Sequence, residues 1–266
     1  MFDLALLESS QEEGLSGTVF SGKLHYSAVT GSTNSDGMAA ARAGAPHGSV
    51  YVADEQNAGR GRGDHGWHSA AGQGLYVSVL LRPQVTAAQL PLIPLAAGLA
   101  AAEAISAVAS LTVELRWPND LLIGPRKTGG ILVEAHSEGS SVSYVVVGIG
   151  INVHQQSFAP DLSTPATSLD LEAGRRISRQ ALLVALLKSL EREALALAEE
   201  RAAELIPARL ERVSTWIRGK SVDVHGPQAC SGVTAGMDEN GFLLVRTDAG
   251  MVTVQTGGIR QRASSM

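Results

Sequence analysis

A glycine- and arginine-rich segment between two strand-like stretches constrains this chain more than any other feature. Residues 59–66 contain four glycines and two arginines, Arg60 and Arg62. Glycine lets a backbone approach a ligand closely, and guanidinium groups hold anions. Because residues two apart point to the same side of an extended segment, Arg60 and Arg62 can grip one anion together. The flanking stretches 49–54 and 75–82 are rich in β-formers, which predicts an anion-binding loop held between two strands.

Bulk properties narrow the possible partners of this segment. Alone, it is also typical of a flexible RNA-binding stretch or a solvated turn. The net charge of −5 and the 4% aromatic content argue against nucleic acid as a partner. A single cysteine, Cys230, excludes an internal disulfide and fits a reducing compartment. We expect no apolar run long enough to span a bilayer. The most apolar stretch, 90–108, contains prolines and Glu103, so we expect a core helix, no membrane partner and a cytoplasmic protein.

Apolar periodicity predicts the secondary structure of two regions. A helix begins within residues 32–36 and ends at Gly44, and a second, Ala-rich helix covers 87–108. Residues 111–153 read as a three-stranded antiparallel meander. Two helices follow, 179–203 and one that Pro207 restarts and that runs to 216. Beyond a boundary near Arg218, a small β-barrel-like region has four predicted strands at 221–225, 231–237, 242–247 and 251–256.

Several polar or glycine-containing groups stand at the ends of these elements. They are Ser32, Thr33 and Asn34 at a helix start, Arg116 to Asp120 after a strand, Lys127 before Gly129 and Gly130, and Gly148, Gly150 and Asn152 on one strand face. Each has a plain explanation of its own: a helix cap, a turn, a solvated lysine and a close backbone crossing. The functional alternative is a polar ligand held beside the helix start and the loop.

Taken in order, these segments resemble the biotin-protein ligases. The matching elements are Gly31-Ser-Thr-Asn34, Gln56 with Ala58-Gly-Arg-Gly-Arg62, Trp67, Trp117-Pro-Asn-Asp120, Lys127 with Gly130-Ile-Leu-Val-Glu134, and Gly148-Ile-Gly-Ile-Asn152. The resemblance implies an α/β (α+β) fold. Its mixed central sheet, flanked by helices, forms a class II synthetase-like catalytic domain at residues 1–217, and an SH3-like β-barrel domain covers residues 218–266.

The resemblance also implies a two-step reaction. Biotin and MgATP give biotinyl-5'-AMP and pyrophosphate, and the biotinyl group then passes to a lysine of a biotin carboxyl carrier domain of acetyl-CoA or a related acyl-CoA carboxylase. The residues suit that chemistry, because joining a carboxylate to a phosphate requires positive groups already in place. A lipoate- or octanoate-protein ligase or transferase of related fold is the alternative. It needs an apolar tunnel, whereas Ser32, Thr33 and Gln56 are polar and favour biotin.

By resemblance, each candidate residue receives a role. The catalytic charges are Lys127, Arg60 and Arg62. Biotin is held by Ser32, Thr33, Asn34, Gln56, Arg60, Gly61, Arg62, Lys127, Gly129, Gly130 and Leu132. The nucleotide is held by Arg62, Trp67, Asn119, Asp120, Lys127 and Asn152, and no resident metal is expected.

The chain departs from the family pattern at two positions, and only a short segment precedes its first motif. Gly63-Asp64-His65-Gly66 replaces the further basic residues that the family often has, so we expect weaker ATP binding or a loop that is disordered without ligand. Arg116 stands where lysine is frequent, and its role stays open. The first motif begins at residue 31, which leaves little room before it for a helix-turn-helix domain, so we expect a monofunctional ligase that does not bind DNA.

Overall fold

A computed structural model describes residues 14–63, 65–139, 141–199 and 201–262 of the chain. Its central element is a seven-stranded sheet with the order β1-β2-β3-β7-β6-β5-β4. The strands are β1 (Leu24–Thr30), β2 (Ser49–Gln56), β3 (Gly74–Leu81), β4 (Glu114–Arg116), β5 (Asp120–Ile123), β6 (Arg126–Glu138) and β7 (Ser141–Asn152). β1 and β2 run parallel and the other neighbours antiparallel, so the sheet is mixed, as predicted.

Helices cover both faces of this sheet. Helix α1 (Thr33–Arg42) packs against β2, β3 and β7, while α2 (Leu92–Ala109) packs against β4, β5 and β6. Three further helices follow, namely α3 (Leu169–Ala173), α4 (Arg179–Leu197) and α5 (Ala202–Val213), and α4 lies against α2. Alternate side chains of β7 point to opposite faces of the sheet, so this strand packs against the helices on both faces. Its residue Val146 packs towards α1, and its neighbours Val145 and Val147 join the main core.

The second sheet is antiparallel and begins at Arg218. Its order is β11-β10-β9-β8-β12, with β8 (Arg218–His225), β9 (Cys230–Met237), β10 (Leu243–Thr247), β11 (Gly250–Val254) and β12 (Gly258–Gln261). A buried hydrogen bond from Trp117 Nε1 to the Gly241 carbonyl, 3.0 Å long, joins it to the first sheet. The C-terminal sheet is therefore fixed beside the strand ends of the central sheet.

The predicted three-stranded meander contains four strands. Residues 120–123, which the sequence analysis did not assign to a strand, form β5 between β4 and β6, and β4 covers only Glu114–Arg116. The reason is local, because the tight turn 117–119 reverses the chain and the apolar pair Leu121 and Leu122 is then buried. A prediction based on turn residues alone ends the strand too early here.

Other helix and strand boundaries also differ from the prediction. The Ala-rich helix starts at Leu92, because residues 87–89 form a separate 3-10 turn and Pro91 caps the helix. Helix α5 begins at Ala202 and continues through Pro207, since buried Ile206 and Leu210 hold both sides of the proline in the core. Three short elements were not predicted: β1, α3 and β12.

Helix α2 is long and apolar enough, by length and composition, to cross a membrane. This corrects the expectation that no stretch of the chain reaches that length. Most of the helix is buried inside the protein between the sheet and α4, so it is a core helix, as predicted. A location in the cytoplasm stays a prediction.

Candidate active site

A large cleft opens where the glycine- and arginine-rich segment crosses the ends of β6 and β7. Its volume is about 1600 Å³, and it extends to the edge of the C-terminal sheet. The walls are the first turn of α1, the turn between β4 and β5, the loop 155–166 and residues 256–260. Residues 59–63 and 65–67, called the Gly/Arg loop below, cover one side. The cleft therefore lies at the position where sequence motifs from several elements meet.

One region of the cleft is a neutral hydrogen-bond network. The Thr33 backbone N–H donates to Gln56 Oε1 at 2.9 Å, and Gln56 Nε2 donates to Ser69 Oγ at 2.7 Å. The Ser78 hydroxyl lies 2.7 Å from Thr33 Oγ1. Ser32 occupies the N-cap position of α1, although its side chain makes no capping hydrogen bond. Because most of these groups are buried and already oriented, they form a prepared polar surface.

Asn34 joins this network to the sheet. Its Oδ1 accepts from Ser78 Oγ at 2.6 Å, and its Nδ2 donates to the Leu132 carbonyl at 3.3 Å. Gly148 makes this position possible, because a Cβ there would lie 2.0 Å from Asn34 Oδ1. The space that a larger side chain would occupy at Gly148 is thus taken by the polar side chain of Asn34 from α1.

The other two glycines of this face lie under Trp67. Gly130 and Gly150 are direct partners in the β6–β7 register. A Cβ on Gly150 would lie 2.5 Å from Trp67 Nε1, and one on Gly130 would lie 3.5 Å from the same indole. The buried Trp67 Nε1 has no hydrogen-bond partner in the described chain. Since an unpaired buried donor is costly, this N–H is a candidate ligand contact.

Gly129 does not line the cleft, in contrast to its neighbour Gly130. A Cβ on Gly129 would meet the Gly150 carbonyl at 2.8 Å and the Leu121 side chain at 2.9 Å. Adjacent strand residues point to opposite faces, so Gly129 and Gly130 cannot both face one ligand. The predicted contact of Gly129 with biotin therefore has no geometric support, whereas Leu132, two residues beyond Gly130, lines the cleft.

The three predicted catalytic cations all line this cleft, and each has a different partner. Arg60 Nη2 lies 2.5 Å from Glu134 Oε2. Arg62 donates to the Gly257 carbonyl through Nη1, and its Nη2 is 3.4 Å from Thr256 Oγ1. Lys127 Nζ is 2.5 Å from Asp120 Oδ1. The cations surround one space without meeting at one point.

Asp120 is held between two cations. Besides Lys127, Arg116 contacts it, with Nη2 2.6 Å and Nε 3.2 Å from Oδ2. Burial alone raises the pKa of Asp120, but the charges of Lys127 and Arg116 outweigh it and hold the pKa below its usual value. Arg116 Nη2 also donates to Thr164 Oγ1 at 2.9 Å. Arg116 thus ties the loop 155–166 to the carboxylate that positions Lys127.

Two predicted nucleotide ligands are engaged with the backbone. Asn119 Nδ2 donates to the Ile131 carbonyl at 2.8 Å, and Asn152 Nδ2 donates to the Thr167 carbonyl at 3.1 Å. Both residues line the cleft. Their amide groups brace the ends of β5 and β7, where the cleft turns towards the loop 155–166.

The Gly/Arg loop closes on itself by backbone hydrogen bonds. Gly61 N donates to the His65 carbonyl at 2.7 Å, and Trp67 N donates to the Gly59 carbonyl at 2.8 Å. The predicted disorder concerned the whole loop, including Asp64, and Asp64 lies outside the described residues. The prediction of a loop that is ordered only by ligand stays a prediction.

Sequence reasoning missed the partners of the predicted residues. Ser69, Ser78, Thr164 and Thr256 stand in ordinary strand or loop patterns that carry no signal of a site. Glu134 was noted as part of a motif, but no role was assigned to it. Their importance comes from contacts across the fold, such as the 98 to 100 residues of chain between Asn34 and its partners Leu132 and Glu134.

Comparisons with known proteins agree with this geometry. The model of the biotin/lipoate A/B protein ligase family matches residues 21–152. The bifunctional ligase/repressor BirA of Bacillus subtilis is 34% identical over 262 residues, which cover 96% of this chain and 78% of that protein. The biotin--[acetyl-CoA-carboxylase] ligase of Mycobacterium tuberculosis is 34% identical over 246 residues, 89% of this chain and 88% of that protein.

A solved structure has the same fold. The biotin protein ligase of Aquifex aeolicus in complex with biotin and ATP superposes with a TM-score of 0.76 and 29% identity, covering 91% of this chain and 100% of that one. The chain belongs to the biotin/lipoate A/B protein ligase family. Within that family, the Mycobacterium tuberculosis relative and the Aquifex aeolicus structure are biotin ligases.

Proposed function

We propose that this cleft performs the reaction of a biotin-protein ligase. The chain is an ATP-dependent ligase that activates biotin and transfers it to a protein lysine. The observation that carries the proposal is the placement of a neutral polar network and three cations around one cleft. A ureido ring needs neutral donors and acceptors, while a carboxylate and a triphosphate need positive charge.

The neutral network is proposed as the biotin end of the cleft. Ser32, Thr33 and Gln56 lie where their hydroxyl and amide groups can exchange internal partners for those of the ureido ring. Asn34 holds this surface in place through its hydrogen bonds with Ser78 and the Leu132 carbonyl. The apolar side of the biotin chain lies along Leu132 and Gly130, and Gly129 is left out because it faces the opposite side.

The cations are proposed to bring the two anions together. Arg60 and Arg62, with the Gly61 backbone between them, hold the biotin carboxylate. Lys127 stands between this carboxylate and the α-phosphate as a point charge and forms no covalent bond. Holding the charge that develops in the transition state is the main contribution such groups make. The Gly/Arg loop also keeps water from the acyl adenylate.

The nucleotide is proposed to lie between Trp67 and the turn 117–120. Asn119, Asp120 and Asn152 form that end of the cleft. Among residues 14–63, 65–139, 141–199 and 201–262, no three His, Cys, Asp or Glu side chains group to hold a metal ion. Mg²⁺ in this proposal therefore comes with ATP, bound largely through its phosphates.

Residues 1–217 are proposed as a class II synthetase-like catalytic domain and residues 218–266 as an SH3-like barrel domain. Support comes from the start of the second sheet at Arg218. Arg62 contacts residues 256–257, so the smaller domain borders the cleft. The acceptor is proposed to be the biotin carboxyl carrier domain of an acyl-CoA carboxylase, whose lysine approaches past the Gly/Arg loop.

A ligase that does not bind DNA remains the prediction for this chain. The net charge of −5 supports it, because DNA binding depends on clustered positive charge. Salt-dependent binding of the purified protein to duplex DNA would contradict it.

The test of the proposal is biotin-dependent exchange of labelled pyrophosphate into ATP. We expect exchange with biotin and little with lipoate or octanoate, since the polar network matches a ureido ring. A second assay follows the transfer of biotin to a purified carrier domain with and without its target lysine. Exchange with octanoate or lipoate instead of biotin would favour the alternative ligase, and no exchange with any of them would refute the assignment.

A further inference from the structure

Glu134 is a charged residue beside the cleft, to which the proposed reaction assigns no role; it contacts the cleft-lining residues Arg60 and Asn34. It follows Gly130 and Leu132 on the same face of β6, because strand residues two apart share a face. Its Oε2 accepts hydrogen bonds from Arg60 Nη2 at 2.5 Å and from Asn34 Nδ2 at 2.9 Å. One carboxylate oxygen therefore joins the Gly/Arg loop to the start of α1.

The two partners of Glu134 differ in how firmly they are held. Asn34 is buried, packs on Gly148 and is bound by Ser78, so it is a fixed point. Arg60 belongs to the loop, and its side chain is 44% exposed. Glu134 thus fixes the Arg60 guanidinium at a set position while other N–H groups of the guanidinium are left for an anion.

The charge of Glu134 has a second consequence. Arg60 is proposed to bind the biotin carboxylate, so two carboxylates share one guanidinium while the ligand is bound. Like charges beside one another raise the free energy of the complex. Glu134 must therefore orient Arg60 and, at the same time, weaken its hold on the ligand.

Resting on the proposed function, we infer that Glu134 is a positioning residue. Its carboxylate is the resting counter-ion of Arg60, and its charge sets how tightly the cleft holds biotin and how long it keeps the biotinyl adenylate. The two effects can be separated, because a glutamine at this position retains a hydrogen-bond acceptor for both Arg60 and Asn34 but removes the charge.

The experiment compares Glu134→Gln with wild type in biotin binding, pyrophosphate exchange and release of biotinyl adenylate. We expect biotin to bind about 2- to 5-fold more tightly, the scale of a partly exposed ion pair, with a lower KM for biotin, and the adenylate to leave more slowly by a similar factor. A purely structural role predicts no change, because the hydrogen bonds persist. Unchanged or weaker biotin binding in a folded Glu134→Gln protein overturns the inference.

Two further variants make the test specific. Glu138→Gln removes the same charge from the same strand, where the side chain is 80% exposed, and should leave biotin affinity unchanged. In an Arg60→Gln background, Glu134→Gln should alter biotin affinity less, because the guanidinium that the two carboxylates share is gone and only their direct repulsion is left. An equal effect of Glu134→Gln in both backgrounds refutes the role. If wild type does not bind biotin, the proposed function fails first, and this inference falls with it.

Discussion

The neutral and the charged regions of the cleft are built in different ways. Around Thr33, Gln56 and Ser78, mostly buried groups hydrogen-bond to one another, and Thr33 and Gln56 line the cleft. The cations are less buried, and each is bound elsewhere: Arg60 to Glu134 and Lys127 to Asp120. The neutral groups are thus held mainly by hydrogen bonds to one another, whereas the cations are held by carboxylate or backbone partners that a bound anion must share or replace. In the proposed site, the neutral region therefore selects the ureido ring, and the charged region holds the reacting anions.

The largest effect is expected in the charged region. Lys127→Ala should fold normally and lose biotin adenylation by about 10²-fold or more, the scale for removing a preorganised charge from a transition state. Pyrophosphate exchange measures the loss. Lys188→Ala, an exposed lysine on α4, is the matched control and should retain full rate. A Lys127→Ala protein with an almost normal rate would remove the charged region from the mechanism.

An intermediate effect is expected in the neutral region. Gly148→Ala places a methyl group 2.0 Å from Asn34 Oδ1, so Asn34 must leave its position against Ser78. We expect biotin to bind about 10-fold more weakly and the free energy of unfolding to fall by about 1–3 kcal/mol. Calorimetry and urea unfolding measure the two quantities.

The control for that variant is Gly31→Ala. A Cβ at Gly31 meets no atom within 4 Å, so the free energy of unfolding should hardly change. Equal stability of the Gly148→Ala and Gly31→Ala proteins would contradict the close packing of Asn34 on β7.

The smallest effect concerns the pH dependence of stability. The lowered pKa of Asp120 means that its ion pairs stabilise the fold above about pH 3.8, its usual value, and that this contribution is lost as the pH falls through the folded-state pKa. Asp120→Asn should be less stable than wild type at pH 7 by about 1 kcal/mol. Urea unfolding at pH 7, 4 and 3 should show the difference shrinking, and a constant difference would contradict the proposed charge pairing.

The motifs in the sequence located much of the site because they stand at strand and helix ends. Asn34, predicted at a helix start, Lys127, predicted at a turn, and Gly150, predicted on a strand face, line one cleft. The predicted role of Gly129 lacks support from the geometry, since a glycine pair on a strand spans both faces and the motif does not say which glycine faces the ligand. The turn residues 118–120 likewise hid β5, because a four-residue strand carries too little alternation to detect.

The ordered motifs of the sequence were enough to identify the family and the mixed α/β character. They also predict which residues carry the chemistry, because glycine, arginine and capping side chains have local conformational and charge preferences. Only the tertiary structure decided which partners these residues have. Glu134 beside Arg60, Ser78 beside Thr33 and Gly257 beside Arg62 are separated by 74, 45 and 195 residues along the chain. Such pairings depend on sheet register and on the docking of the C-terminal sheet, and these are set by packing of the whole chain rather than by any short segment.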